Sequence, residues 1–219
     1  MPQKSSNIDL TNVDNAAEDC ISLGNACHAQ GQFEKAVEAY KSAISINSKN
    51  PTAYLNLGVT YIAQGQMPEA TSMLQKAIEI EPNNASAHIN LGTIFANRGQ
   101  LDSAISAFHL ALKITPNNAN AHYNLGITYI DQGCFTEAVT ALQKSIEIEP
   151  KNANALLNLG VAYANLGMLE EAIIAYKRAI LINPKNSSEN YNFETAYRAQ
   201  GRLEEAIAAY RIKSTKATV

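Results

Sequence analysis

Five asparagines recur at intervals of 34 residues, and they are the first candidates in this chain for a repeated binding interaction. They are Asn56, Asn90, Asn124, Asn158 and Asn192. Each carboxamide carries one acceptor oxygen and two N–H donors, so it can pair with both the C=O and the N–H of a peptide unit. A series of such groups could hold a neighbouring chain by its backbone, with little dependence on that chain's sequence.

Residues that could carry catalysis or bind a metal do not form a recognisable arrangement. His88 and His122 stand one 34-residue period apart. Packed neighbouring helices would separate them by about 10 Å, too far for one metal ion, so we expect satisfied core histidines. The sequence contains no phosphate-binding glycine loop, nucleophile elbow or H-E-x-x-H motif. It therefore predicts neither an enzyme nor a cofactor or metal site, and the carboxylates on the second helices, such as Glu79 and Glu147, are expected to be solvated.

The three cysteines predict reduced thiols. Cys20 and Cys27 lie on one predicted helix at a rise of about 10 Å, which is too far for a disulfide, and Cys134 lies in a distant turn. The first ten residues lack the apolar stretch of a secretory signal, and no apolar run approaches membrane-spanning length. We therefore expect a cytoplasmic protein without membrane insertion.

The charge balance argues against nucleic acid as a partner. The chain carries 17 basic and 20 acidic residues for a formal net charge of −3, and its basic residues are scattered. No cationic stripe is available to displace the counterions of a phosphate backbone.

The glycines define an internal repeat. All eleven fall at two places of a 34-residue period that is counted from Ala17, and such a period indicates a stacked array. A polar lead-in at 1–16, with Asp14 or Asn15 as the first helix cap, precedes six units. The units are 17–50, 51–84, 85–118, 119–152, 153–186 and a shortened 187–219.

The residue pattern within each unit predicts a helix, a turn, a second helix and a second turn. Apolar residues at places 4, 7 and 11, and again at 20, 24 and 27, have helical spacing. The glycine at place 15 suits the left-handed residue just past the first helix, and the proline at place 32 ends the second helix. The glycine at place 8 lies inside the first helix. We expect it to permit close helix crossing, for example of Gly58 against Ala70 or Ala77.

Taken together, places 7, 8, 11, 20, 24, 27 and 32 resemble the tetratricopeptide repeat (TPR) family over roughly residues 17–213. The resemblance implies an all-α fold, a right-handed superhelix (α-solenoid) of antiparallel helix pairs. Its concave face would be made mainly by the first helices. The last unit departs from the pattern, since Glu194 replaces glycine and Lys213 replaces the small residue of place 27.

The resemblance further implies that places 2, 5, 6, 9, 12 and 13 of the first helix line the concave groove. Place 6 holds the five recurring asparagines, which we call the asparagine ladder. The flanking places hold mainly apolar residues, which we call the apolar strip. The strip consists of Leu55, Ile89, Tyr123, Leu157 and Tyr191 at place 5 and of Val59, Ile127 and Val161 at place 9. This lining predicts a scaffold or adaptor that binds an extended protein segment in the groove.

Three alternatives remain open at this point. The asparagine ladder also fits a family consensus that binds no ligand. Incomplete covering of the terminal repeat would allow self-association of copies end to end. The ladder is also similar to the TPR arm of the peptide O-linked N-acetylglucosaminyltransferases, which would make this chain a substrate-presenting arm without its catalytic domain. A chaperone carboxylate clamp is not expected, because that class uses lysine and arginine at places 5 and 6.

Overall fold

The computed structural model describes residues 10–183, with side chains from Asn15 onward, and every element in this part of the chain is an α-helix. The predicted all-α fold is therefore confirmed. The chain divides between Gly99 and Gln100 into two compact units. Predictions that concern Tyr191, Asn192 and the rest of the sixth repeat lie outside the described residues.

The first unit is built from paired helices. Its described elements are α1 Leu10–Ala29, α2 Phe33–Ile46, α3 Pro51–Ala63, α4 Met67–Ile80 and α5 Ala85–Asn97. The turn between α3 and α4 spans only residues 64–66, and a connection of that length makes the two helices antiparallel. A single apolar core runs through this unit, with residues such as Tyr40, Leu57 and Leu74 buried in it.

The second unit repeats the same arrangement. Its described elements are α6 Leu101–Ile114, α7 Ala119–Gln132, α8 Phe135–Ile148, α9 Ala153–Asn165 and α10 Leu169–Ile182. Its core includes Leu142, Leu156 and Tyr176. Within each unit, first helices of successive repeats also touch each other, α3 with both α1 and α5, and α7 with α9.

An asparagine caps the first helix of each internal repeat. The Oδ1 atoms of Asn50, Asn84, Asn118 and Asn152 accept the backbone N–H three residues later, at distances of 3.1, 3.0, 2.9 and 3.0 Å. These caps place the helix starts at Pro51, Ala85, Ala119 and Ala153, the first place of each unit. A side-chain oxygen at this position satisfies one of the free N–H groups of the first turn.

The first helix begins earlier than expected. Helix α1 starts at Leu10, inside the segment 1–16 that the sequence assigned to a polar lead-in. The cap predicted at Asp14 or Asn15 is wrong, because both residues lie inside the helix. The sequence explains the extension: Leu10, Val13 and Ala17 continue the helical spacing of apolar residues upstream.

The glycines at places 15 and 8 of the repeat serve the two roles that the sequence predicted, a left-handed turn and a close approach between helices. At place 15 all five described glycines have a positive φ between 71° and 80°, and Gly133 forms the C-cap of α7 in that conformation. At place 8 the predicted close approach is confirmed. A Cβ on Gly58 would lie 2.9 Å from Leu74 Cγ and 3.4 Å from the backbone oxygen of Ala70, so the place-24 side chain is a nearer neighbour than the predicted alanine.

Candidate functional site

In the first unit, Asn56 and Asn90 lie on α3 and α5, the two first helices that contact each other. Both side chains are half-buried, and so are the neighbouring strip residues Leu55, Val59 and Ile89. Since places 5, 6 and 9 are one and four residues apart along a helix, they share one helix surface. This surface is neither core nor fully solvated.

The second unit presents the same kind of surface on α7 and α9. Asn124 and Asn158 are half-buried, and the strip residues beside them are half-buried as well. These strip residues are Tyr123, Ile127, Leu157 and Val161. The ladder and the strip are thus brought together within each unit.

Two ladder side chains fold back along their own helices. The Nδ2 of Asn90 donates to the carbonyl oxygen of Ser86 at 2.8 Å, and that of Asn158 donates to the carbonyl oxygen of Asn154 at 3.0 Å. Each bond uses one of the two N–H groups of the carboxamide. In Asn90 the second N–H and the acceptor oxygen stay available, and the orientation of the amide is fixed.

Asn158 also links the ladder to the strip of the preceding repeat. Its Nδ2 lies 3.4 Å from the hydroxyl of Tyr123, which can accept the hydrogen bond. Burial raises the pKa of Tyr123, and the hydrogen bond from Asn158 opposes that shift. Neighbouring first helices in the second unit are therefore joined on the candidate surface itself.

The ladder amides differ in how many partners they have inside the protein. Asn56 donates its Nδ2 to Oδ1 of Asn25 at 2.9 Å, across to the preceding repeat. The Asn124 carboxamide has no hydrogen-bond partner among residues 15–183, although its backbone carbonyl accepts from Thr128 Oγ1 at 2.7 Å. Among the four ladder residues that the structure describes, Asn124 therefore has the greatest hydrogen-bonding capacity left for a ligand.

Charge is almost absent from the helices that carry the ladder. Helices α3, α5 and α9 contain no Asp, Glu, Lys or Arg, and α7 contains only Asp131. Hydrogen bonding and apolar contact are the interactions that such a surface can offer.

Both histidines at place 4 have a hydrogen-bond partner, as predicted, but only His88 is a core residue, since His122 is half-buried. Nε2 of the buried His88 donates to the carbonyl oxygen of Pro82 at 3.0 Å, and Nε2 of His122 donates to that of Pro116 at 2.8 Å. Each bond closes the turn that precedes its own helix. Within the described residues, no group of three or more His, Cys, Asp or Glu side chains could hold a metal ion.

The outer carboxylates form ordinary surface pairs. Glu79 and Glu147 each accept a 2.6 Å hydrogen bond from a lysine three residues earlier on the same helix, and all four side chains are exposed. Exposed pairs of this kind contribute little to stability. They show no sign of a paired acid and base.

Two features of the surface could not be assigned from the repeat pattern. One is a small pocket of about 210 Å³ in the first unit, where Asn25 and His28 stand beside Asn56. The other is a larger cavity of about 570 Å³ in the second unit, between α8, α9 and α10, with Ile146 and Ile174 in its lining. The only sequence signal for the first pocket is that polar residues replace mainly apolar ones at places 9 and 12 of the first repeat.

In the described part of the chain, no helix has both the length and the apolar character needed to cross a membrane. All three cysteines are free, with Cys27 buried and Cys20 and Cys134 half-buried.

Comparison with known proteins yields a family match and several structural neighbours. Residues 5–218 match the family described as the cilia and flagella-associated protein 70 C-terminal domain. No curated protein matches the chain. The chain is similar to the solved structure of MamA at 28% identity with a TM-score of 0.68, over 78% of this chain and 93% of MamA.

Two further structures extend the similarity. YrrB, described as a TPR protein with an unusual peptide-binding site, is 26% identical with a TM-score of 0.66, over 78% of this chain and 89% of YrrB. PilF of Pseudomonas aeruginosa gives a TM-score of 0.81 over 94% of this chain and 93% of its own. At 17% identity, the PilF match shows the fold alone.

Proposed function

This chain belongs to the family described as the cilia and flagella-associated protein 70 C-terminal domain, and the repeats of the sequence had predicted a TPR family. From that premise we propose that the chain is a non-catalytic scaffold for an extended protein segment. The segment lies on the first helices and is held through the asparagine ladder and the apolar strip.

The observation that carries the proposal is the state of the ladder amides. Asn90 uses one N–H to fix its orientation and keeps one N–H and the acceptor oxygen for a ligand, and Asn158, whose amide nitrogen has two acceptors inside the protein, keeps its acceptor oxygen. Preorganised groups bind at a lower entropic cost than mobile ones. A peptide unit offers the complementary C=O and N–H.

The spacing of the ladder suits an extended chain. Neighbouring helices pack at about 8–10 Å, and an extended peptide advances about 3.3 Å per residue. Within each unit, two successive ladder residues would therefore contact the ligand about three residues apart. The half-buried strip residues beside them offer apolar contacts to the ligand's side chains.

The structural neighbour YrrB supports this proposal, because it is described as a TPR protein with a peptide-binding site. We further propose a cytoplasmic location, which the three free cysteines support. The lack of enzyme activity is part of the same proposal and rests on the satisfied histidines and the surface carboxylates.

The test uses the full chain and a displayed library of random peptides of about twelve residues, the length that the repeats could hold. Enriched peptides are synthesised, and their dissociation constants are measured by fluorescence anisotropy. The triple variant Asn90→Ala, Asn124→Ala and Asn158→Ala removes three hydrogen-bonding groups at about 1 kcal/mol each, so binding should weaken roughly a hundredfold.

A matched control distinguishes the effect of removing ladder asparagines from the effect of removing asparagines elsewhere on the surface. Asn83 and Asn117 are exposed turn residues that do not cap a helix, and replacing both with alanine should leave binding unchanged. Circular dichroism should show native helicity for both variants. A library that yields no binder, or a triple variant that binds as well as the parent, would contradict the proposal.

Self-association is a second candidate, and one observation favours it. The side chains of Ile174 and Leu181 on α10 are 56% and 80% exposed. At the same two places of the preceding repeat, α8 carries the polar residues Thr140 and Glu147. Ile174 also lines the 570 Å³ cavity together with Glu171 and Arg178. A surface with an apolar residue, a cavity and both charge signs can complement a second copy of itself.

The third alternative, a substrate-presenting arm of a glycosyltransferase, stays a prediction. A transferase assay on this chain alone should show no activity, and activity there would also overturn the non-catalytic proposal.

A further inference from the structure

The small pocket of the first unit is polar at positions where the other repeats are mainly apolar. Its lining consists of Asn25, His28, Tyr40, Asn56 and Val59. Asn25 stands at place 9, where the later described repeats have Val, Thr, Ile and Val. His28 stands at place 12, where they have Ile, Ala, Ile and Ala.

The Asn25 carboxamide is fixed in one orientation by two donors. Its Oδ1 accepts from the Tyr40 hydroxyl at 2.7 Å and from Asn56 Nδ2 at 2.9 Å. In this arrangement the carboxamide oxygen of Asn25 faces both donors. Both lone pairs of the oxygen are then occupied, and the two N–H donors of Asn25 are left for another partner.

The tautomer of His28 follows from its bond to Thr60. The Thr60 hydroxyl has a single proton, and it donates that proton to the backbone carbonyl of Asn56 at 2.8 Å. The 3.0 Å contact between His28 Nδ1 and Thr60 Oγ1 must therefore run from Nδ1–H to the hydroxyl oxygen. In the neutral ring, Nε2 is consequently an acceptor.

The polar groups left over have a definite pattern. Two N–H donors remain on Asn25 and one on Asn56, while Asn56 Oδ1 and His28 Nε2 remain as acceptors. No Asp, Glu, Lys or Arg lines the pocket. A ligand group that both donates and accepts without a charge would satisfy this pattern.

We propose that this pocket is a specificity subsite that receives a carboxamide side chain, glutamine or asparagine, from the bound segment. The inference rests on the proposed function, because it names the ligand side chain that the first unit selects. A primary carboxamide supplies one acceptor oxygen for the free N–H groups of Asn25 and two donors for Asn56 Oδ1 and His28 Nε2.

Other side chains fit the pocket less well. A carboxylate has no donor for the two acceptors and would meet no compensating cation, and a lysine would meet no compensating anion. An apolar side chain would displace water from polar groups and leave them unpaired. Discrimination of this kind comes from the groups that a wrong ligand leaves unsatisfied.

The test uses synthetic peptides from the display selection, labelled with fluorescein. Each peptide position is replaced in turn by Gln, Glu, Lys and Ala, and the dissociation constant is measured against the full chain. We expect one position at which Gln binds roughly tenfold more tightly than Glu, Lys or Ala, the size of a loss of one to two net hydrogen bonds.

Two variants of the protein connect that preference to the pocket. The double variant Asn25→Val and His28→Ile installs residues that later repeats carry, so it should fold and should lose the preference for Gln. The milder variant Tyr40→Phe removes one donor to Asn25 Oδ1 and should reduce the same preference. Elsewhere in the first unit, Asn90→Ala should weaken all peptides equally and keep the preference.

The outcomes separate this inference from the proposed function. If no peptide binds the parent chain, the proposed function fails. If peptides bind through the ladder but show no glutamine position, or if the double variant keeps that position, the subsite inference alone is overturned.

Discussion

Gly126 in α7 lies directly against Leu142 in α8, so that a Cβ added to Gly126 would come within 2.6 Å of Leu142 Cγ. The same relation joins Gly58 to Leu74 and Gly24 to Tyr40. The place-8 glycine therefore creates the space in which a place-24 side chain is buried. This packing holds the two helices of these pairs against each other and keeps their first helices in position.

We expect Gly126→Ala to destabilise the protein by about 1–2 kcal/mol. Overpacking costs about 1–3 kcal/mol, and the higher helix propensity of alanine returns up to about 1 kcal/mol. Urea denaturation followed by circular dichroism measures the change in the free energy of unfolding. Adding Leu142→Ala should relieve the clash, so a double variant less stable than the sum of the two single effects would contradict this account.

A contrasting glycine provides the control for that experiment. Gly133 has a φ of 80° and nothing within 4 Å of an added Cβ. Gly133→Ala should cost about 1 kcal/mol through backbone strain alone. Because no side chain lies in the way, Leu142→Ala should not rescue this variant.

The helix caps provide a second prediction. Asn118→Ala removes the side-chain oxygen that accepts the N–H of Ala121 at 2.9 Å, and it should lower the free energy of unfolding by about 0.5–2 kcal/mol. Its neighbour Asn117 is exposed, and Asn117→Ala should change stability by less than about 0.5 kcal/mol. Equal effects of the two substitutions, measured by urea denaturation, would show that the cap is not the cause.

The buried tyrosine of α10 predicts a loss of stability at high pH. Burial raises the pKa of Tyr176 to about 12, above the ordinary value of about 10. Between these values the unfolded chain has released the proton and the folded chain has kept it. The contribution of Tyr176 is therefore present in full below pH 10 and is lost as the pH rises towards 12.

Tyr176→Phe checks this assignment, since a phenylalanine cannot ionise. Thermal melts between pH 9 and about pH 11.5 should show a steeper loss for the parent than for the variant. Ultraviolet absorbance of the phenolate should show one tyrosine that titrates late in the parent and is missing in the variant. Identical pH profiles would contradict the prediction.

Self-association through α10 leads to the fourth prediction. Light scattering of the full chain should rise with protein concentration, and the double variant Ile174→Thr and Leu181→Glu should abolish that rise. The variant carries the residues that stand at these places in α8, so native helicity is expected. A parent chain that scatters as a monomer at all concentrations would remove this candidate.

Those features of the fold that depend on neighbours along the chain could be predicted from the sequence. Left-handed glycines such as Gly65 and the helices between them follow from local backbone geometry and apolar spacing, which the 34-residue period repeats. The asparagine caps were predictable too, because Asn50 and its equivalents directly precede an apolar helix.

Contacts between repeats required the tertiary structure. The asparagine period alone could not reveal that Asn56 donates to Asn25, that Thr60 fixes the proton on His28, or that Leu74 is the nearest side chain to Gly58. These partners are brought together by helix packing, which depends on side-chain volumes across two helices rather than on spacing within one. The sequence by itself determined which helices form and which residues share a surface. Helix packing decided which polar atoms on that surface already have a hydrogen-bond partner and which remain free for a ligand.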